Sequence, residues 1–135
     1  MIINWGKIWG NLKKITYIKS KISEFQWKSI HNIIYTECRL KRMGLSQVKG
    51  CCHFGKHPPE TQQHLFYNCK ITFPLIQCIQ TLFFEEDNIT FDQHSMILGY
   101  DKGTEKGVIL GNILIYVAKW TIWKQRNKSH SQTKN

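Results

Sequence analysis

The sequence predicts a small, mainly α-helical domain, and three observations lead there. Apolar residues recur at the three- and four-residue intervals that one helical face requires. Helix punctuation stands between these runs: Gly44 suits a C-terminal stop and Pro74 a first turn. At 41% hydrophobic and 13% aromatic, the 135 residues carry too much apolar material for a disordered basic tail, so a core is expected.

Taken in order, Ile18, Ile22, Phe25, Ile30, Ile33 and Ile34 share a broad face, with Lys21 and Lys28 turned away and Glu24 four residues before Lys28. A short helix over Arg39–Met43 closes at Gly44. Another runs from Thr61 to Asn68, entered through Pro58, Pro59 and Glu60. Pro74 opens a helix to about Phe84. The last runs from about Glu105 to Arg126 with Ile109, Ile113, Tyr116, Val117, Trp120 and Trp123 as its apolar stripe. The N-terminal helix is expected to pack against this C-terminal one. No internal repeat appears, so residues 1–135 read as one domain: basic helices over 1–49, a central segment over 50–70, helices over 71–126 and a frayed tail over 127–135.

The formal charge of +10 points to a polyanionic partner, nucleic acid before a membrane surface. It is uneven: residues 1–50 carry +8, residues 85–105 carry −5 and residues 106–135 carry +6. No secretory signal pattern opens the chain, and Val108–Trp123 is interrupted by Gly111, Asn112 and Lys119, short of a bilayer span. Five cysteines without framework spacing read as thiols in a reducing, intracellular compartment, with Cys38 and Cys78 as small core residues.

The most specific chemistry lies in GCCHFGKHPPETQQHLFYNCK, residues 50–70. Cys51, Cys52, His53, His57, His64 and Cys69 are thiolate and imidazole donors, the preferred ligands of Zn²⁺. A small loop without its own core is where a structural metal helps folding most. His64 and Cys69, with four residues between them, can be presented to one ion by a helix ending near Asn68. Cys51 and Cys52 are adjacent, and neighbours in an extended chain point opposite ways, so one ion takes only one of them.

This stretch resembles the zinc-binding region at the C-terminal end of LINE-type (non-LTR) retrotransposon reverse transcriptases. Cys52, Glu60, Thr61, His64, Leu65, Phe66 and Cys69 match that family's pattern of Cys-x2-Cys, Glu-Thr, His-Leu-Phe and Cys. The flanks NWGKIW, KISEFQWKSIHNIIYT, RLKRMGL, ILGY and ILIYVAKWTIWKQR are similar to the family's surrounding helices. The resemblance implies a central zinc-knuckle-like loop and a terminal fragment of a larger polyprotein, or a short gene derived from one. Within an intracellular location, nucleus or cytoplasm, it further implies the nucleus, and a neighbouring polymerase domain as partner. Gly55 stands where the family has its second cysteine. His57 is the substitute that gives a Cys52, His57, His64, Cys69 zinc site, with His53 and Cys51 less convenient. The alternative is a decayed, metal-free knuckle in which His64 and Leu65 simply pack.

Catalysis finds little support. The family's aromatic-x-Asp-Asp signature, whose carboxylates hold Mg²⁺, is absent, and Glu85, Glu86, Asp87, Asp92, Asp101 and Glu105 read as a solvated loop. His31 and His94 are isolated. The expectation is therefore a non-enzymatic, nucleic-acid-binding module that holds template RNA or target DNA, as the resemblance implies. Its phosphate-contacting candidates are Lys13, Lys14, Lys19, Lys21, Lys28, Arg39, Lys41, Arg42, Lys49, Lys56 and Lys70. Trp5, Trp9, Tyr17 and Trp27 are interleaved with the first basic cluster, although Trp27, Trp120 and Trp123 are expected in the core. The competing expectation is a protein-interaction scaffold, which would show an apolar patch near Trp5 to Trp9 or on the last helix.

Overall fold

A computed structural model describes residues 3–15, 19–45, 50–52, 58–87 and 91–133. Tyr17, Ile18, Lys49, His53, Gly55, Lys56 and His57 lie outside these described residues. Within them the chain forms six α-helices and one π-helical turn, and its only β pairing is an isolated antiparallel bridge between Cys51 and Pro59. The expected helical class is what is found. No helix among the described residues is long and apolar enough to cross a membrane.

Helix α1 (Trp5–Lys14) starts at Asn4, whose side chain accepts from the Lys7 amide, and ends on Lys13 and Lys14, which suit the negative end of a helix. Helix α2 (Ser20–Ile30) stops four residues before the expected Ile34. Asn32 takes a left-handed φ of 55°, which interrupts the helical ladder and which Asn tolerates better than most residues. Glu24 and Lys28 pair at 3.2 Å as their spacing predicts. Helix α3 (Glu37–Arg42) begins two residues earlier than expected because the Thr36 hydroxyl caps it, accepting from the Arg39 amide.

After the central segment, the π turn (His64–Asn68) leads into α4 (Phe73–Asp87), with Pro74 in its first turn. Helix α5 (Gln93–Leu98) lies inside the acidic stretch expected to be loop. Asp92 caps it, accepting from the amide and hydroxyl of Ser95. Helix α6 (Glu105–Thr133) continues seven residues past the expected Arg126, through a polar segment without Gly or Pro to end it.

Helix α6 is the axis of the fold, packed by α1, α2, α4, α5 and the π turn. Of the predicted stripe, Tyr116 is buried in the core as expected, but the inner seam runs along other residues. Val108, Asn112, Ile115, Lys119, Ile122 and Arg126 are buried and recur at alternating steps of four and three, whereas Val117 is exposed. Ile109, Ile113, Trp120 and Trp123 are only partly buried at its margins. Phe25 meets Trp120 and Trp123 with ring centroids 5.5 and 5.6 Å apart, so the expected packing of N-terminal on C-terminal helix is found.

The three polar residues of this seam each clamp a different element. Asn112 exchanges two hydrogen bonds with the backbone of Tyr100, accepting at 2.7 Å and donating at 2.8 Å, and so closes the α5–α6 connection. The Lys119 ammonium donates to Gln26 Oε1 at 2.9 Å, Ser29 Oγ at 2.6 Å and the Ile97 carbonyl at 3.3 Å, tying α6 to α2 and α5. Ser29 in turn donates to Gln62, which donates to Asn32, carrying the network to the approach of the π turn. All these acceptors are neutral, and full burial lowers the Lys119 pKa from 10.5 to about 7. Arg126 meets the fully buried Glu60, Nη2 to Oε1 at 2.7 Å with Nε at 3.1 and 3.3 Å from the two oxygens. Two expected core residues lie elsewhere: Trp27 is 45% exposed, its ring set against His31, and Cys78 is exposed. Cys38 is half-buried, its thiol directed at the Gly50 carbonyl.

Glu60→Gln leaves the Arg126 guanidinium buried without its counter-charge and is expected to cost about 3–5 kcal/mol. Removing the exposed Lys28–Glu24 pair by Lys28→Ala costs less than about 1 kcal/mol. Equal urea midpoints for the two variants would contradict the reading. Between pH 7 and 10.5 the unfolded chain keeps the Lys119 proton and the folded chain releases it, so folding gains stability as pH rises through that window. The urea midpoint of the wild type should therefore climb relative to Lys119→Met between pH 6.5 and 9.5. A constant gap would show that Lys119 is not the titrating group.

Candidate metal centre

Gly50–Cys52 runs antiparallel to Pro58–Glu60. The Cys52 amide donates to the Pro58 carbonyl at 2.8 Å, and the Glu60 amide to the Gly50 carbonyl at 2.9 Å. Gly50 enters this pairing with φ 80° while packed on the Lys41 stem, a position a side chain would not tolerate. Extended pairing sends Cys51 and Cys52 to opposite sides. Cys52 is buried and Cys51 half-buried.

The other half of the site comes from the π turn. Thr61 starts it, its hydroxyl accepting from the His64 amide and its carbonyl from the Leu65 amide. In an α-helix, residues five apart sit about 140° round the axis, too far to share an ion. Here the Cys69 amide donates to the His64 carbonyl at 2.7 Å, an i to i+5 bond that widens the turn and brings the two side chains together. Leu65 and Phe66, fully buried, anchor the turn in the core, and Thr72 donates to the Leu65 carbonyl at 2.8 Å.

Cys52, His64 and Cys69 consequently place one ligand atom each within 4.8 Å of one another. The two sulfurs are 3.8 Å apart. A tetrahedral ion with Zn–S bonds of about 2.3 Å separates two thiolates by about 3.8 Å, whereas a disulfide holds its sulfurs at about 2.05 Å. His64 Nε2 is buried without a hydrogen-bond partner. Burial lowers the His64 pKa, with the Glu60 charge opposing the shift, which favours the neutral imidazole that a metal requires. Two thiols at a zinc-like edge and an orphaned imidazole nitrogen fit a bound Zn²⁺. Three of the four expected ligands come together; His57 lies outside the described residues.

Glu60 is held by an ion pair and by the start of a helix. Its carboxylate is fully buried and accepts from Arg126 and from the Glu37 amide at 2.8 Å, the first turn of α3, where the helix dipole favours a negative charge. It joins the metal-site hairpin to α3 and α6.

Of the basic candidates, Lys13, Lys14, Lys19, Lys21, Lys28, Lys41, Arg42 and Lys70 are exposed and Arg39 is half-buried; Lys49 and Lys56 lie outside the described residues. The later acids meet lysines at the surface, Asp101 with Lys7, Glu105 with Lys14 and Asp92 with Lys102. The aromatic residues of α1 and α2 form a row: Trp5 stacks on Trp9 (6.4 Å), Trp9 on His31 (5.0 Å), and His31 lies against Trp27 (4.2 Å). His31, which looked isolated in the sequence, is its centre. Sequence reasoning also missed the role of Arg126 and Lys119, for which the only signal was their place in the four-three spacing of α6.

Residues 3–75, which include all three clustered ligands, match the family model described as zinc-binding in reverse transcriptase. No curated protein and no solved structure matches the chain.

Purified under reducing conditions, the protein should carry one equivalent of zinc by elemental analysis. Cys69→Ser should lose it and melt at lower temperature, while Cys78→Ser, at an exposed position away from the cluster, should keep it. A metal-free wild type with an unchanged melting point in the presence of a strong chelator would contradict the assignment.

Proposed function

This chain belongs to the family of zinc-binding modules in reverse transcriptases, and from that premise we propose that it is a non-catalytic accessory domain that grips nucleic acid. In this reading Cys52, His64 and Cys69, with His57 as fourth ligand, hold a structural zinc. Bound there, the ion would cross-link the hairpin to the π turn. The module would serve a LINE-type polymerase from the C-terminal side, holding template RNA or target DNA beside it, and would work where that substrate is, in the nucleus or cytoplasm.

The observation that carries the proposal is the aromatic row. Trp5 and Trp27 are 46% and 45% exposed, set on helices whose lysines also face water. Indole rings left in water contribute little to the core, but each offers a face on which an unpaired base can stack. The neighbouring cations supply phosphate contacts that raise affinity without sequence preference. A second reading draws on the same patch: Ile3 and Trp5 are exposed apolar groups that a protein partner or second copy would cover. It predicts a dimer, or binding insensitive to salt.

Fluorescence anisotropy with a labelled single-stranded RNA and its DNA counterpart separates the two. Nucleic-acid binding should weaken by at least about tenfold between 50 and 200 mM salt, log K falling linearly with log salt concentration. A protein that binds neither strand at 50 mM salt, or elutes as a dimer through this patch, would favour the scaffold reading.

A further inference from the structure

Beside the aromatic row, α2, the α2–α3 connection and α6 enclose a second feature. A groove of about 510 Å³ runs between them, within the roughly 300–1,000 Å³ usual for ligand sites. Trp120, Trp123 and Tyr35 give it aromatic sides, and Lys21, Lys28 and Arg39 its cations. Phe25, buried and in ring contact with both tryptophans, packs beneath.

We propose that this groove is a binding site for an unpaired nucleotide of a single-stranded nucleic acid, its base against the Tyr35 and Trp123 rings and its phosphate on Lys21, Lys28 and Arg39. The proposal rests on the nucleic-acid reading above and names where, and in which form, the strand is held.

Charge and shape select this occupant. Three cations face the groove against a single acid, Glu24, which already pairs with Lys28. That pair is exposed and worth little, so a phosphate can recruit the Lys28 ammonium at small cost. Lys21 makes no ion pair among the described residues. A ligand matching flat aromatic walls and a net positive rim is a planar ring carrying an anion. A duplex keeps its base faces stacked and meets only the cations; an unpaired base meets both. Tyr35 is 56% exposed, the most open aromatic residue of the groove, while its backbone carbonyl accepts from Arg126 Nη2 at 3.2 Å. The side chain is thus free to contact a ligand while its backbone is held by the buried ion pair. The Arg126 guanidinium lies over the Trp123 ring, 4.7 Å from its centroid, which limits the movement of that ring.

The test uses a fluorescein-labelled 12-nucleotide single-stranded RNA and a 12-base-pair duplex, both at 50 mM salt. Tyr35→Ala and Lys21→Ala are expected to weaken single-strand binding about tenfold and about threefold respectively, with duplex binding changed less than twofold by Tyr35→Ala and thermal melting unchanged. Single-strand affinity equal to wild type in both variants overturns the groove and leaves the broader nucleic-acid reading standing. No binding by the wild type to either probe overturns both. Independently, a 4-thiouridine-substituted strand cross-linked to the wild type should mark peptides within residues 21–39 or 120–126; adducts confined to other peptides overturn the groove even if the variants are weakened.

Discussion

The carboxylate of Glu60 sits where three parts of the chain must meet without water. It is fully buried and receives the Arg126 guanidinium from the C-terminal half of the long helix and the Glu37 amide from the start of α3, while its own backbone pairs with Gly50. A charge so placed is tolerated only when its partners are fully in place, because the desolvation cost of either ion alone exceeds what partial contacts return. The hairpin that presents Cys52, the helix that carries Arg39, and the helix against which the core packs are therefore positioned together. The metal cluster depends on this arrangement: Cys52 lies eight residues before Glu60 and His64 four residues after it.

Helix α6 extends the same logic along its length. A seam made of Val108, Ile115 and Ile122 would bury apolar area but would not choose between neighbours of similar shape. Asn112, Lys119 and Arg126 alternate with them, and each accepts only one set of partners at hydrogen-bond distance. Lys119 is the extreme case, a fully buried ammonium with neutral acceptors and the Phe66 ring 5.0 Å away. Polar groups of this kind weaken a fold when unsatisfied and define it when satisfied. Arg126 and Lys119 lie beyond the stretch that matches the zinc-binding family, so the C-terminal helix completes a module whose hallmark residues lie in the first 75.

What could be read from the sequence, and what could not, divides along the same line. The helical class, the Glu24–Lys28 pair, the Thr61 entry and Pro74 start, and the pairing of His64 with Cys69 were legible because each rests on residues close together in the chain. The inner face of α6 was not, since half of its seam is polar and a hydrophobic stripe drawn without Asn112, Lys119 and Arg126 rotates toward Val117. Trp27 is expected in the core from the sequence, whereas its ring lies against His31 at the surface. Helix α5 was hidden by its acidic surroundings, yet Asp92 there is a helix cap. The π turn had no sequence signal: only the i to i+5 bond from Cys69 shows why ligands five residues apart converge.

Cys52, His64 and Cys69 are arranged so that two thiolates and at least one imidazole would close on a single ion. X-ray absorption at the zinc edge, on protein purified under reducing conditions, tests it most directly. The prediction is a four-coordinate shell of two sulfurs at about 2.3 Å and two nitrogens at about 2.0–2.1 Å, the second nitrogen assigned to His57 if His57→Ala replaces it with a water oxygen. A shell with three sulfurs, one built only from oxygen and nitrogen, or no bound zinc would contradict it.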